Sequence, residues 1–271
     1  MTRHHLSGTL GACMPWDPHL VSPTLGRRYP NAPIVEAVMD VRAAVATEIS
    51  VDGLKEVHQG EEERYPEHQL NFLVSGGMLV NQADVTAGAS KRLNGHVYRR
   101  ADVTQVYQAR LDGFTFSRLA PYEHWEAFFA EGMRLWRRYA VIARPPSVER
   151  LALRYINRID PPVGQPVEMS DYLLTRPEMS PLLPQTLDGF FLNAQLSLGD
   201  GGPILTLIET VVPSPTGGVS LILDIDVAYT QALRVGDDID DILTSRFSSL
   251  RDAKNGVFEA CITDRARSLF L

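Results

Sequence analysis

Apolar and polar positions alternate with period two from Ile34 onward. Val35, Ala37, Met39, Val41 and Ala43 fall on one side, and Glu36, Asp40 and Arg42 on the other. Such alternation predicts a half-buried strand over Ile34–Ala46. Asp52 is placed to cap a helix through Leu54, Val57 and His58, extended by the acidic run Glu61–Glu63, which reads as a solvated face. Leu70–Val74 reads as a short strand. Val97–Leu111 and Phe114–Leu119 flank Asp112-Gly113, a strong hairpin signal. Pro121 then suits the first turn of a helix. Tyr122, Trp125, Phe128, Phe129, Gly132, Leu135, Trp136 and Tyr139 recur at helical spacing, and this aromatic stripe reads as core.

The order repeats after Pro145-Pro146. Val148–Asp160 reads as a strand, and Ser170 can cap a short helix over Asp171–Leu174. Phe191–Leu198 and Ile204–Val212 form a hairpin around Gly199–Gly202, and Val219–Tyr229 adds a strand. A long amphipathic helix closes the chain, with Ile239, Ile242, Leu243, Phe247, Leu250, Val257, Phe258, Cys261 and Ile262 on its apolar side. The predicted fold class is α+β: two pseudo-repeats of strand, helix, antiparallel meander and long helix, with helices packed on one face of the sheets. Residues 1–28, rich in Pro and Gly, read as a flexible tail. Residues 29–146 and 147–271 form the two halves, which can join into one continuous sheet.

Composition adds exclusions. The 271 residues carry 26 Lys plus Arg against 33 Asp plus Glu, a net charge of −7. That balance argues against nucleic-acid binding, which relies on cationic neutralisation of phosphates. No run of 18 apolar residues predicts a membrane helix, and the first 28 residues show no signal-peptide core, so a cytoplasmic protein is expected. The two cysteines, Cys13 and Cys261, are too few for a four-cysteine zinc site; Cys261 reads as a free buried thiol, and His4 and His5 as solvated.

The stretch Leu151–Asp160 is the candidate for chemistry. On a strand, Arg154, Arg158 and Asp160 share one face, and Asn157 interrupts the apolar opposite face. Two guanidinium forks suit a carboxylate or phosphate. Glu36 and Asp40 occupy comparable positions on the first strand and are expected to pair with Arg154 or Arg158. Read structurally, these residues are an ion-pair network that fixes register between halves; read functionally, they line a ligand site. Asn157 needs a hydrogen-bond partner if buried. Asp224 and Asp226 share a strand face and read as solvent-facing or as a cation site. Phosphate-loop, dinucleotide, zinc-protease and nucleophile-elbow motifs are missing, and no cofactor or metal is expected. A catalytic imidazole would have to be His58, His68, His96 or His124, with His124 reading as a helix-boundary residue.

Three stretches, Tyr29–Ala37, Arg154–Asp160 and Phe258–Asp264, together with the spacing of Pro121-Tyr122, Trp125 and Trp136, resemble a sporadically distributed prokaryotic family of unknown function. The resemblance covers about residues 29–271 and supplies no catalytic residues. Its patchy distribution implies an accessory gene of a mobile or defence locus. The resulting expectation is a soluble, non-enzymatic binding or interaction protein. Its partner would be another protein or a small anionic ligand, and edge strands leave room for a homodimer. The rival is an enzyme acting on a phosphorylated or carboxylated small molecule, with Glu36 or Asp40 as acid/base and Arg154 and Arg158 as clamps. A nucleic-acid binder on a saddle-like sheet is the third and weakest.

Overall fold

The computed structural model describes residues 16–17, 26–80, 85–164, 166–236 and 238–271, and the side chains of all of these except 75–80 and 85–89. The tail readings for His4, His5 and Cys13 lie outside the described residues.

Alternating patterns become strands because each can bury its apolar side. In chain order these are β1 (Ile34–Arg42), β2 (Glu67–Val80), β3 (Val85–Arg99), β4 (Gln105–Arg110), β5 (Gly113–Leu119), β6 (Ser147–Val148), β7 (Arg150–Ile159), β8 (Phe191–Ser197), β9 (Ile204–Pro213), β10 (Val219–Tyr229) and β11 (Leu233–Arg234). Nine form one sheet in the order β2-β3-β4-β5-β1-β7-β10-β9-β8, with every neighbouring pair antiparallel. β6 and β11 pair separately. The architecture is α+β. The helices α1 (Trp125–Ala143) and α2 (Ile239–Cys261) pack on the sheet through β5, and through β7 and β10, respectively; α3 (Asp264–Ser268) follows α2.

The core lies between the sheet and these helices. Met39, Phe116, Leu153, Tyr155 and Ile225 from the strands meet Trp136, Tyr139, Phe247 and Leu250 from the helices, all essentially inaccessible to water. The aromatic stripe of α1 is core. Close approach at α1 depends on Gly132, where a Cβ would meet the Met39 Sδ at 3.1 Å and Phe116 Cδ1 at 3.1 Å. The Asp112-Gly113 hairpin forms as expected. Gly113 has φ +146°, and a Cβ there would lie 2.3 Å from the Val41 carbonyl oxygen.

Several local expectations are corrected. β1 ends at Arg42, after which Ala43 and Val45 still donate to Asp112 and Leu111. The Asp52 segment is a 3-10 turn over Gly53–His58, and the Asp52 side chain makes no capping bond. Glu61 is buried instead of solvated, because Arg134 of α1 grips it with two hydrogen bonds of 2.5 and 2.8 Å. Leu70–Val74 belongs to a strand of 14 residues. Val97–Leu111 is split by a turn in which Asp102 accepts from the Thr104 amide and hydroxyl. Pro121 precedes α1, whose N-cap is His124: its Nδ1 accepts from the Ala127 amide. Met169–Asp171 is a 3-10 turn in place of the helix expected at Asp171.

Candidate functional site

The two faces of the sheet divide the candidate residues. On the face away from the helices, even-numbered side chains of β4, β1, β7 and β10, with Asp160 just after β7, build a charged ladder. Arg110 donates to Asp40 at 3.1 Å, Asp40 also accepts from Arg150 at 3.2 Å, and Arg150 reaches Asp226 at 2.7 Å. Arg154 forms a fork on Asp224, at 2.8 Å from Nε and 2.5 Å from Nη2. Arg158 donates to Asp160 at 3.2 Å, and Asp160 accepts from Ser220 at 2.5 Å.

The expected cross-strand pairing is therefore corrected in its partners. Arg154 is taken by Asp224 of the neighbouring β10, and Arg158 by Asp160 just past the end of its own strand; Val38 is the β1 residue opposite Arg154. Asp40 is in the ladder but with Arg110 and Arg150, which the sequence reading did not select. Glu36 makes no ion pair among the described residues, although its charge helps hold Arg154 protonated. Asp224 and Asp226 are not solvent-facing carboxylates: Asp224 is buried, and burial raises the Asp226 pKa. No cluster of three metal-ligating side chains occurs among the described residues.

The other face holds Asn157, and here the chain forms a cavity. It is about 170 Å³ in volume and lies between α2, β7, the Tyr122–Trp125 loop and the segment Gly26–Ile34. Asn157 is buried and donates to the Leu223 carbonyl at 3.0 Å, so its interruption of the apolar face is satisfied. Beside it Tyr155 and Tyr122 share a hydroxyl–hydroxyl bond of 2.8 Å. Tyr29 donates to Glu259 at 2.7 Å, and Arg267 donates to the other oxygen of that carboxylate at 2.8 Å, which straps the N-terminal segment to α2.

Lys254 of α2 lines this cavity. Its ammonium sits over the Tyr155 ring, 4.0 Å from the centroid, and donates to Asn255 Oδ1 at 2.5 Å. No carboxylate lies within ion-pair reach of it among the described residues. Burial, with Arg251 adding repulsion, pushes its pKa down to about 7. Burial moves the phenols the opposite way: Tyr122 to about 12 and Tyr155 well above 10. Both remain protonated near neutral pH. Arg251, also on the wall, pairs with Glu126 at 3.6 Å and lies over Trp125. The wall thus offers donors from Lys254, Arg251 and the tyrosines, with Glu259 already engaged.

Lys254 was not among the residues singled out from the sequence, yet a signal existed. Leu243, Phe247, Leu250, Val257 and Cys261 follow the 4-3 spacing of a buried helix stripe, and Lys254 fills the position of that series between Leu250 and Val257. Glu209 is a parallel case. It interrupts Leu205, Leu207 and Val211 on β9, is fully buried with neither carboxylate oxygen hydrogen-bonded, and has its pKa raised to about 7 by burial.

The described histidines are engaged in contacts within the fold. His58 stacks on Tyr98 at 4.0 Å and shares a 2.6 Å bond with Tyr107. His96 Nε2 donates to the Val51 carbonyl at 2.8 Å, which leaves its Nδ1 to accept from His68 Nε2 at 2.9 Å. His124 caps α1 and also lines the cavity.

No family model, curated protein or solved structure matches the chain. The three stretches that carry the resemblance stated above nevertheless meet at one place: Tyr29, Tyr155, Asn157, Phe258 and Glu259 all line the cavity.

Proposed function

We propose that the protein is a non-enzymatic binding protein for a small anionic ligand, a carboxylate or phosphate, held in the cavity between β7 and α2. The single observation that supports this most is Lys254, a half-buried ammonium without a carboxylate partner among the described residues. A partly desolvated, unpaired charge is costly, and an anion in the cavity would offset that cost. The neighbouring phenols and Arg251 add donors suited to the same ligand. A volume of about 170 Å³ is below the roughly 300 Å³ at which drug-sized sites begin, so the ligand is a small metabolite-like anion.

The halves 29–146 and 147–271 enter this reading as two units of one repeated pattern, each giving one long helix to the binding side. Cytoplasmic location fits the buried free thiol of Cys261. The enzyme reading through Glu36 or Asp40 with Arg154 and Arg158 draws less support, since those guanidinium groups are already engaged by carboxylates on the opposite face.

Isothermal titration with inorganic phosphate, acetate and citrate at pH 6.5 tests the proposal. At least one anion should bind the wild type and bind Lys254→Met at least about tenfold more weakly, the equivalent of 1.4 kcal/mol. Equal affinity for both proteins would reject the site.

A further inference from the structure

The strand β8 ends the sheet. It pairs with β9 on one side, and no strand among the described residues pairs with the other. Natural edge strands are blunted by lysine, proline, bulges or covering elements, because unpaired backbone groups recruit other strands. Phe191–Ser197 contains no charged residue and no proline, and its register against β9 runs without a bulge. Phe191 is 69% exposed and Leu196 46%. The opposite edge differs: β2 carries Glu67 and a register shift between Asn71 and Phe72.

The side chains of β8 are self-complementary when the strand is reversed. Leu192, Ala194 and Leu196 lie opposite Glu209, Leu207 and Leu205 of β9, on the helix side; Asn193 and Gln195 point to the other face. An antiparallel copy centred on Ala194 sets Leu192 against Leu196 of the second chain, twice by symmetry. The same register sets Asn193 against Gln195, also twice, so that each amide meets an amide. Ala194 meets its own copy at the axis. An isologous interface requires this self-matching of one patch, and directly opposed pairs are the unit of sheet stabilisation.

We infer that β8 pairs antiparallel with β8 of a second copy, centred on Ala194, and joins two nine-stranded sheets into one. Register is the discriminating property, because a one-residue slip would place leucines on the amide face.

The test uses the full chain carrying Cys13→Ser, which leaves only the buried Cys261. Sedimentation at about 100 μM should give a dimer, since association is driven by concentration. Ala194→Cys should form an intermolecular disulfide on mild oxidation, whereas Asn193→Cys, which faces Gln195 of the copy, should link far less. The pair Leu192→Lys with Leu196→Lys should give a monomer with the melting temperature of the parent monomer. A monomer at every concentration would overturn the inference. So would a dimer that survives the lysine pair, or equal cross-linking at positions 193 and 194.

Discussion

The Lys254 ammonium lies 4.0 Å from the centre of the Tyr155 ring, on the wall of a cavity and without a carboxylate partner among the described residues. The ring's negative face offers partial compensation for a desolvated cation, of order 1–2 kcal/mol. Burial and the nearby Arg251 charge lower its pKa to about 7. A base whose folded-state pKa is depressed binds fewer protons when folded, so stability rises with pH between about 7 and the unfolded value of 10.5. Lys254→Met should therefore be more stable than wild type at pH 7, by at least about 1 kcal/mol or roughly 2–4 °C in Tm. The difference should shrink toward pH 10. Thermal unfolding across that range reads it directly.

Glu209 titrates with the opposite sign. Its folded-state pKa of about 7 exceeds the ordinary 4.5, so the folded protein holds a proton that the unfolded chain releases. Its contribution is fully present below pH 4.5 and is lost as pH rises to about 7. Glu209→Gln should remove that loss and stabilise the protein at pH 8 by up to about 3 kcal/mol. The variant should gain little at pH 4.5. Urea unfolding at the two pH values checks both outcomes.

The Arg154–Asp224 fork should respond asymmetrically. Asp224 is 5% exposed, whereas the Arg154 side chain is 43% exposed. Arg154→Ala leaves a buried carboxylate unpaired and should cost about 3 kcal/mol. Asp224→Ala frees a guanidinium that water can reach, and should cost about 1 kcal/mol. Glu36→Ala, without an ion pair to break, should fall within about 0.5 kcal/mol of wild type. Chemical denaturation of the three variants ranks them.

Gly113→Ala should be severe for a change of one methyl group. The new Cβ would lie 2.3 Å from the Val41 carbonyl oxygen, at a φ of +146° that other residues rarely adopt. A cost above about 2 kcal/mol is expected, against the few tenths typical of an exposed turn. The loss of Tm in the single variant measures it.

The β5, β7, β9 and β10 strands and both long helices were legible because each carries a sustained apolar period or, for β5, follows directly on the Asp112-Gly113 turn. The long β2–β3 hairpin was not. Its stretch Ser75–Ser90 carries glycine, alanine and polar residues that do not alternate, and pairing between the two strands holds it in register. For the site, Asn157 was visible as a polar residue on an apolar face. Arg110 and Arg150 were not, because their roles depend on β4, β5, β1, β7 and β10 lying side by side, which follows from strand order and not from local pattern. Lys254 was hidden by its own neighbours: a lysine within a long helix reads as solvent-facing unless it is placed against the 4-3 stripe. The cavity itself required Tyr29, Tyr155 and Glu259, distant in sequence, to meet.

Native mass spectrometry of the wild type and of Lys254→Met, each purified gently from the organism that makes it, tests the central claim most directly. The account predicts a small acidic compound retained by the wild type and lost from the variant. A compound retained equally by both proteins, or a wild type that carries none and binds none of the supplied anions, would contradict it.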